Sequence, residues 1–200
     1  MITDLVTSLS SLQVRQGAIL GSHWPELDNY YTIDEIMAIL ADYQLIGGID
    51  MQIVQIQKAE YTGHASTSTT MPIDDTIPQI TEGGEFMTLA ITPQSLDNYL
   101  LIMVHGWFAS VSASNWLSVA LFNLAVHATD AIAVTGSYII TGTTGRDHNI
   151  LSHQKVTSLN SNVLKVRAGC NFNSTGFNGS GSRNWGLVQK SSIIAMEISV

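Results

Sequence analysis

Four carboxylates crowd one stretch of this 200-residue chain: Asp74, Asp75, Glu82 and Glu85. Paired carboxylates can run glycoside hydrolysis, one as acid and the other as base or nucleophile. They can also hold calcium together with backbone carbonyls. Here Pro72, Pro78 and Gly83-Gly84 frame them as a loop running into a strand, where acids accept backbone hydrogen bonds in turns. The turn role is expected to prevail, with a cation site as the weaker alternative and no second cluster to complete a catalytic set. The six histidines (His23, His64, His105, His127, His148 and His153) lack the spacing of a metal site. On a strand His148 and His153 face opposite sides. Ser110, Ser112 and Ser114 lie in no nucleophile elbow. The Gly-rich run Asn178 to Ser182 does not join a strand to a helix and is no phosphate loop. No catalytic residue, resident metal or cofactor is expected.

Binding is the better prospect. Two loops, Thr141–Asp147 and Asn171–Trp185, are rich in Gly, Ser, Thr and Asn, which offer adaptable hydrogen bonds. Arg146, Arg183 and Trp185 add charged forks and a ring, residue types enriched at binding hot spots. These three are the candidate ligand-binding residues; ordinary solvated turns are the alternative. Trp107 and Trp116 could also serve as stacking platforms, but Trp116 sits mid-strand among apolar residues and is expected in the core.

Composition narrows the setting. Charged residues make up 12% of the chain, about half the ~25% of an average globular protein. In their place stand 39 Ser and Thr, which give a neutral, hydroxyl-rich surface. Hydrophobic residues reach 45%, enough for a sizeable core. The net charge of −8 and the scattered Lys and Arg argue against nucleic acid, which needs a basic face, and against a polybasic membrane patch. The longest apolar run, Tyr99 to Phe108, is short of the ~20 residues of a membrane-spanning helix. Nothing before Arg15 resembles a secretory signal. The single cysteine, Cys170, alternates with Leu164, Val166 and Ala168 and reads as a small core residue.

The elements that would position these residues change character along the chain. Residues 1–60 carry 8 acids and 2 bases, and residues 61–200 carry 8 and 6. Ile2, Leu5, Leu9 and Leu12 follow a 3-4-3 spacing, the seam of a short coiled coil. A helix of about two heptads needs partner chains or intrachain packing to persist. A second helix is predicted over 30–46, with Thr32 to Glu35 as a capping box, Tyr31 and Ile36 as a staple, and Gly47-Gly48 as its stop. From Ile49 the period becomes two, with a phase slip between Ile53 and Val54 that suggests a bulge. A polar connector is expected over 62–70, and strands over 86–92, 99–109, 115–126, 131–140, 148–157, 162–171 and 185–199. Many short strands with Gly-, Asn- and Ser-rich turns predict an antiparallel jelly-roll β-sandwich. The organisation is thus an N-terminal helical segment over 1–48, a strand and connector over 49–70, and the sandwich over 71–200.

The run Met71 to Met87 (MPIDDTIPQITEGGEFM) resembles a motif of tailed-bacteriophage fibre and virion-appendage proteins. So do Ala90 to Pro93, Ala120 to Phe122, Lys165 to Gly169 and Ser191 to Ile198, and so, more loosely, does the helix Tyr30 to Leu40. The resemblance covers about residues 58–200. It implies a C-terminal jelly roll, homotrimeric assembly and no enzymatic activity. It further implies a place on the virion, with residues 1–48 docking on other particle proteins and the tip meeting a host-surface glycan or protein. A capsid or neck decoration without receptor role is the alternative, and a glycan-binding or glycan-cleaving module a lesser one. Neither nucleic-acid binding nor membrane insertion is implied.

Overall fold

A computed structural model of the protein describes residues 52–142, 144–186 and 188–199. The expected helices and the Ile2/Leu5/Leu9/Leu12 seam lie outside the described residues.

Ten strands form two antiparallel sheets: β1 (Ile53–Tyr61), β2 (Ala65–Thr67), β3 (Gly84–Ile91), β4 (Tyr99–Ser110), β5 (Asn115–Asn123), β6 (Ala133–Ile139), β7 (Gly145–Lys155), β8 (Asn162–Cys170), β9 (Thr175–Phe177) and β10 (Ser191–Ile198). Sheet pairing is nested: β1 pairs with β10, β3 with β8, β4 with β7 and β5 with β6. Successive pairs alternate between the six-stranded sheet (β1, β10, β4, β7, β9, β2) and the four-stranded sheet (β3, β8, β5, β6). A long hairpin rolled in this way is a jelly roll, and the described residues hold no helix.

The period-2 pattern decides which side chains go inside. Leu100, Ile102, Val104 and Phe108 of β4 meet Leu117, Val119 and Leu121 of β5 and Leu164, Val166, Ala168 and Cys170 of β8 in one core. Phe108 is fully buried and packs against Phe86 and Phe177, with centroids 5.6 and 5.2 Å away. Cys170 is a buried free thiol, as its alternation predicts. The phase slip near Ile53 is a register shift between Ile53 and Gln55.

Three departures from the sequence reading are instructive. The sandwich takes in residues 53–67, because β1 pairs along β10 and the short β2, inside the polar connector, pairs with β9. The last strand starts at Ser191 rather than near Trp185. Trp116 is 41% exposed, not in the core: it lies on the outer face of β5 against Tyr138, centroids 5.4 Å apart, where it stays partly open among the described residues. Farther along the same face Ala120 and Phe122 are buried under Met71 and Ile80.

The outer face of the six-stranded sheet is graded. Directly paired residues share a face, so register defines its rows. The first is Ile53, Ile198, Tyr99 and Lys155; the second Ile56, Met196, Leu101 and His153; the third Lys58, Ile194, Met103 and Leu151. A polar row follows: Glu60, Ser192, His105 and Asn149. Three rows thus bare an apolar patch, with Ile56 55% and Leu151 70% exposed.

Two buried titratable groups on the inner side are matched. Glu197 is fully buried and accepts from Gln55 Nε2 (2.6 Å), Asn98 Nδ2 (2.6 Å), Gln94 N (2.8 Å) and Ser95 N (3.3 Å). Burial pushes its pKa up, but the hydrogen bonds outweigh that and hold it below the ordinary 4.5. His148 donates Nδ1–H to Arg146 O (3.2 Å) and accepts at Nε2 from Ser137 Oγ (3.1 Å), a bond that links the two sheets. Burial holds its pKa below 6.5. Both groups are proton-poor when folded, so the unfolded chain takes up protons first. Stability is therefore complete above about pH 6.5 and falls with acidification, first through His148 and then, below 4.5, through Glu197. Denaturant titrations from pH 8 to pH 3 should show this two-stage loss. Glu197→Gln, which replaces one of the two acceptor oxygens by an NH2 donor facing these donors, should cost about 3 kcal/mol at pH 7 and flatten the stage below pH 4.5.

Candidate functional site

The acidic stretch does not converge. Asp74 Oδ1 accepts from Thr76 N (2.9 Å) and Thr76 Oγ1, and these bonds hold its pKa below the usual carboxylate value. Glu82 Oε2 accepts from Gln79 N (3.0 Å) within its own turn. Glu85, on β3, pairs with Lys165 (2.8 Å) and Arg167 (3.5 Å) of β8. Among the described residues no three His, Cys, Asp or Glu side chains stand close enough together to hold a metal ion. The stretch instead acts as a strap across the outer face of the four-stranded sheet. Met71 N donates to Cys170 O (3.0 Å), Ile80 N to Thr129 O (2.7 Å) and Ala131 N to Pro78 O (2.9 Å). Arg167 closes the far end through Glu82 O and Gly83 O.

Chemistry collects instead at the end of β4, beyond the polar row. A cleft of about 330 Å³ is lined by His105, Trp107, Asp147, Trp185, Val188 and Gln189. The alternation that sends Phe108 inward sends Trp107 outward, where it pairs with Asp147 of β7. The Trp107 ring lies over Gly145, whose missing side chain makes the room: a Cβ there would overlap the ring. Trp185 stands against the Trp107 ring edge-on, centroids 6.2 Å apart and planes at 86°. Trp107 is 8% exposed and Trp185 69%, so Trp185 alone presents an open face.

The loop that carries Trp185 is pinned at its root. Asn178 is fully buried with φ at +52°, a left-handed conformation that Asn tolerates better than most residues. Its Nδ2 donates to Tyr61 O (2.9 Å) and Gly63 O (3.2 Å), and its Oδ1 accepts from Ser191 Oγ (2.7 Å). Asn178 N donates to Trp107 O (3.0 Å), and Trp107 N donates to Ser191 Oγ (3.2 Å). Asn178, just past β9, thus ties the end of β1 and the start of β10 through its side chain and β4 through its backbone N, beneath the cleft. Trp185 has φ at +47°, and a bulky side chain in that region is strained. Asp147 is exposed, and its charge acts on His148 beside it, while Gln189 Oε1 is buried without a hydrogen-bond partner.

Of the candidate binding residues, Trp185 belongs to the cleft, whereas Arg146 and Arg183 do not line it. Both arginines are exposed. His105, Asp147, Val188 and Gln189 escape the sequence reading, since only strand register brings 105, 107 and 147 together. Asp147 closes the candidate loop Thr141–Asp147, which is the nearest signal the sequence carries for it.

The fold and site define the class: a jelly-roll β-sandwich with an aromatic cleft at one end. No protein-family model matches the chain, and no curated protein sequence does. Among solved structures it is similar to Eiger, a TNF from S. frugiperda, at 12% identity and a TM-score of 0.42, over 71% of this chain and 92% of that one. It is also similar to the enzymatically active domain of bacteriophage CBA120 tailspike protein 4, at 10% identity and a TM-score of 0.22, over 73% of this chain but 19% of that one. Likenesses this slight carry nothing about activity or partners.

Gly145→Ala tests the construction of the cleft. The added methyl must displace the Trp107 ring, so the variant should lose about 1–3 kcal/mol. Its tryptophan emission should shift to the red as Trp107 meets water. An unchanged emission spectrum would mean that the ring does not rest on Gly145.

Proposed function

We propose that this protein is a structural virion subunit of a tailed bacteriophage: a short homotrimeric fibre held to the particle through residues 1–48, with the sandwich projecting toward the host surface. The observation that carries the reading is the apolar outer face of the six-stranded sheet. Four strands about 4.8 Å apart and three rows about 7 Å apart make a patch on the order of 400 Å². The largest apolar patch on an ordinary monomer is of about that size and is often functional. The natural occupant is a second copy of the chain. In a chain of net charge −8, the three apolar rows contain no carboxylate. Their two lysines are engaged, Lys58 with Glu60 (2.9 Å) and Lys155 over the Tyr99 ring. Self-association through these rows therefore brings no carboxylates together despite the chain's net negative charge.

Area favours a ring over a pair. A flat two-fold contact would bury about 400 Å² per subunit, half of the ~800 Å² typical of a stable interface. Around a three-fold axis each subunit meets two neighbours through different surfaces and adds its sheet edges to the contact. The resemblance of Met71 to Met87 to phage appendage proteins supplies the setting, and a hydroxyl-rich, disulfide-free chain suits close subunit packing. The acids at 74–85 serve the strap in this reading, and the protein is not an enzyme.

Light scattering should give about three times 21.6 kDa. Ile194→Lys with Leu151→Lys should yield a folded monomer, whereas Tyr138→Lys, on the outer face of the other sheet, should leave the trimer intact. A wild-type monomer, or a double variant that still forms trimers, removes this face as the subunit contact. Immunogold labelling of phage particles tests the virion setting.

A further inference from the structure

We propose that the Trp107–Trp185 cleft is a saccharide-binding site, with the Trp185 ring as stacking platform and Asp147 and Gln189 as acceptors for sugar hydroxyls. The inference deepens the host-attachment reading above by naming the ligand class, and it concerns a part of the surface that the subunit contact leaves open.

Three independent features converge. The first is the platform. Trp185 is held edge-on by Trp107 and presents one open face, 69% exposed. A sugar ring offers a flat patch of C–H groups of matching size, and burying that patch on an indole face is favourable. The second is unspent hydrogen-bonding capacity. Asp147 holds an exposed carboxylate at the rim, where water is its readily displaced partner, and Gln189 carries a buried acceptor without a hydrogen-bond partner. An unmatched buried acceptor is costly in a closed protein and becomes useful when a ligand hydroxyl reaches it. His105, bonded to Asn149 Oδ1 through Nδ1 (3.0 Å), adds a ring nitrogen at the rim. The third is strain. Trp185 keeps a left-handed backbone conformation, and Gly186 beside it does the same at +61°. Such strain in a bulky residue points to a functional demand on its orientation.

The same geometry argues against other ligands. A cage for a methylated ammonium needs several exposed aromatic faces around the charge, and here Trp107 is nearly covered. A phosphate or sulfate would meet the Asp147 carboxylate with no cation lining the cleft. A neutral polyol fits both the acceptors and the single platform. The polar row of Glu60, Ser192, His105 and Asn149 separates the cleft from the apolar rows, so trimer formation and saccharide binding use different parts of one face.

The test titrates the full-length protein with a panel of soluble hexoses, N-acetylhexosamines and 6-deoxyhexoses, following tryptophan fluorescence, with tetramethylammonium as a separate arm. At least one sugar should bind saturably. Trp185→Ala should weaken binding about tenfold or more, Trp185→Phe should restore part of it, and Asp147→Asn should weaken it several-fold. Trp116→Ala, which removes an exposed ring on the other sheet, should leave binding unchanged. Failure of every sugar, binding by tetramethylammonium alone, or equal loss in Trp116→Ala and Trp185→Ala overturns the proposal. Light scattering on the same samples keeps the two readings apart: a trimer that binds no sugar sinks only the cleft, and a monomer that binds sugar sinks only the assembly.

Discussion

Burying Phe108 between the sheets is the constraint on which the rest of this molecule depends. Its ring meets Phe86, Phe177 and His148, which come from three other strands, and truncating such a ring costs about 3–5 kcal/mol. Once Phe108 points inward, strand alternation leaves Trp107 no choice but to point outward. A large ring on an outer face must then be covered or left wet. Gly145 on β7 covers it from one side by having no side chain, and Trp185 from the other. The cleft is thus a consequence of core packing one residue away.

The polar interior obeys a similar logic. Asn178 follows Phe177, so the strand that completes the aromatic core also delivers an amide to the junction of β1, β4 and β10. The amide groups it satisfies would otherwise be stranded where β1 stops and β10 starts, and an orphaned buried polar group costs more than a hydrogen bond returns. At the opposite end Glu197 does the same for the turn at Gln94 and Ser95. Each end of the six-stranded sheet is closed by one buried side chain that reads backbone groups distant in sequence.

Much of this was legible in the sequence where the cause is local. Strand positions follow from alternation, the bulge near Ile53 from a phase slip, and the burial of Cys170 from its neighbours. What was not legible depends on partners. Trp116 has the same local pattern as Phe122 on the same strand face, yet only Phe122 is covered by the Met71–Ile80 strap. The segment after Trp185 looks extended by composition, but it forms a loop until Ser191 because Asn178 and Ser191 fix where β10 can begin. The cleft was half visible: Trp185 stood out as an exposed ring beside a polar loop, whereas Asp147 and His105 join it only through the β4–β7 register. Arg146 and Arg183 stand out by residue type and by their place in polar loops, and neither says which side of a strand or loop an arginine leaves.

The outer face of the six-stranded sheet gathers these threads. A strand side chain can face core, solvent or another chain, and composition distinguishes the three by charge and by ring. Rows of Ile, Met and Leu without acids are costly to leave in water. The row of Glu60, Ser192, His105 and Asn149 is at ease there. Beyond it stand two tryptophans beside one buried acceptor without a hydrogen-bond partner, Gln189 Oε1. The succession along β4, from dry to wet to aromatic, is the pattern that the proposed subunit contact and the proposed saccharide site would each require of its own level of the sheet.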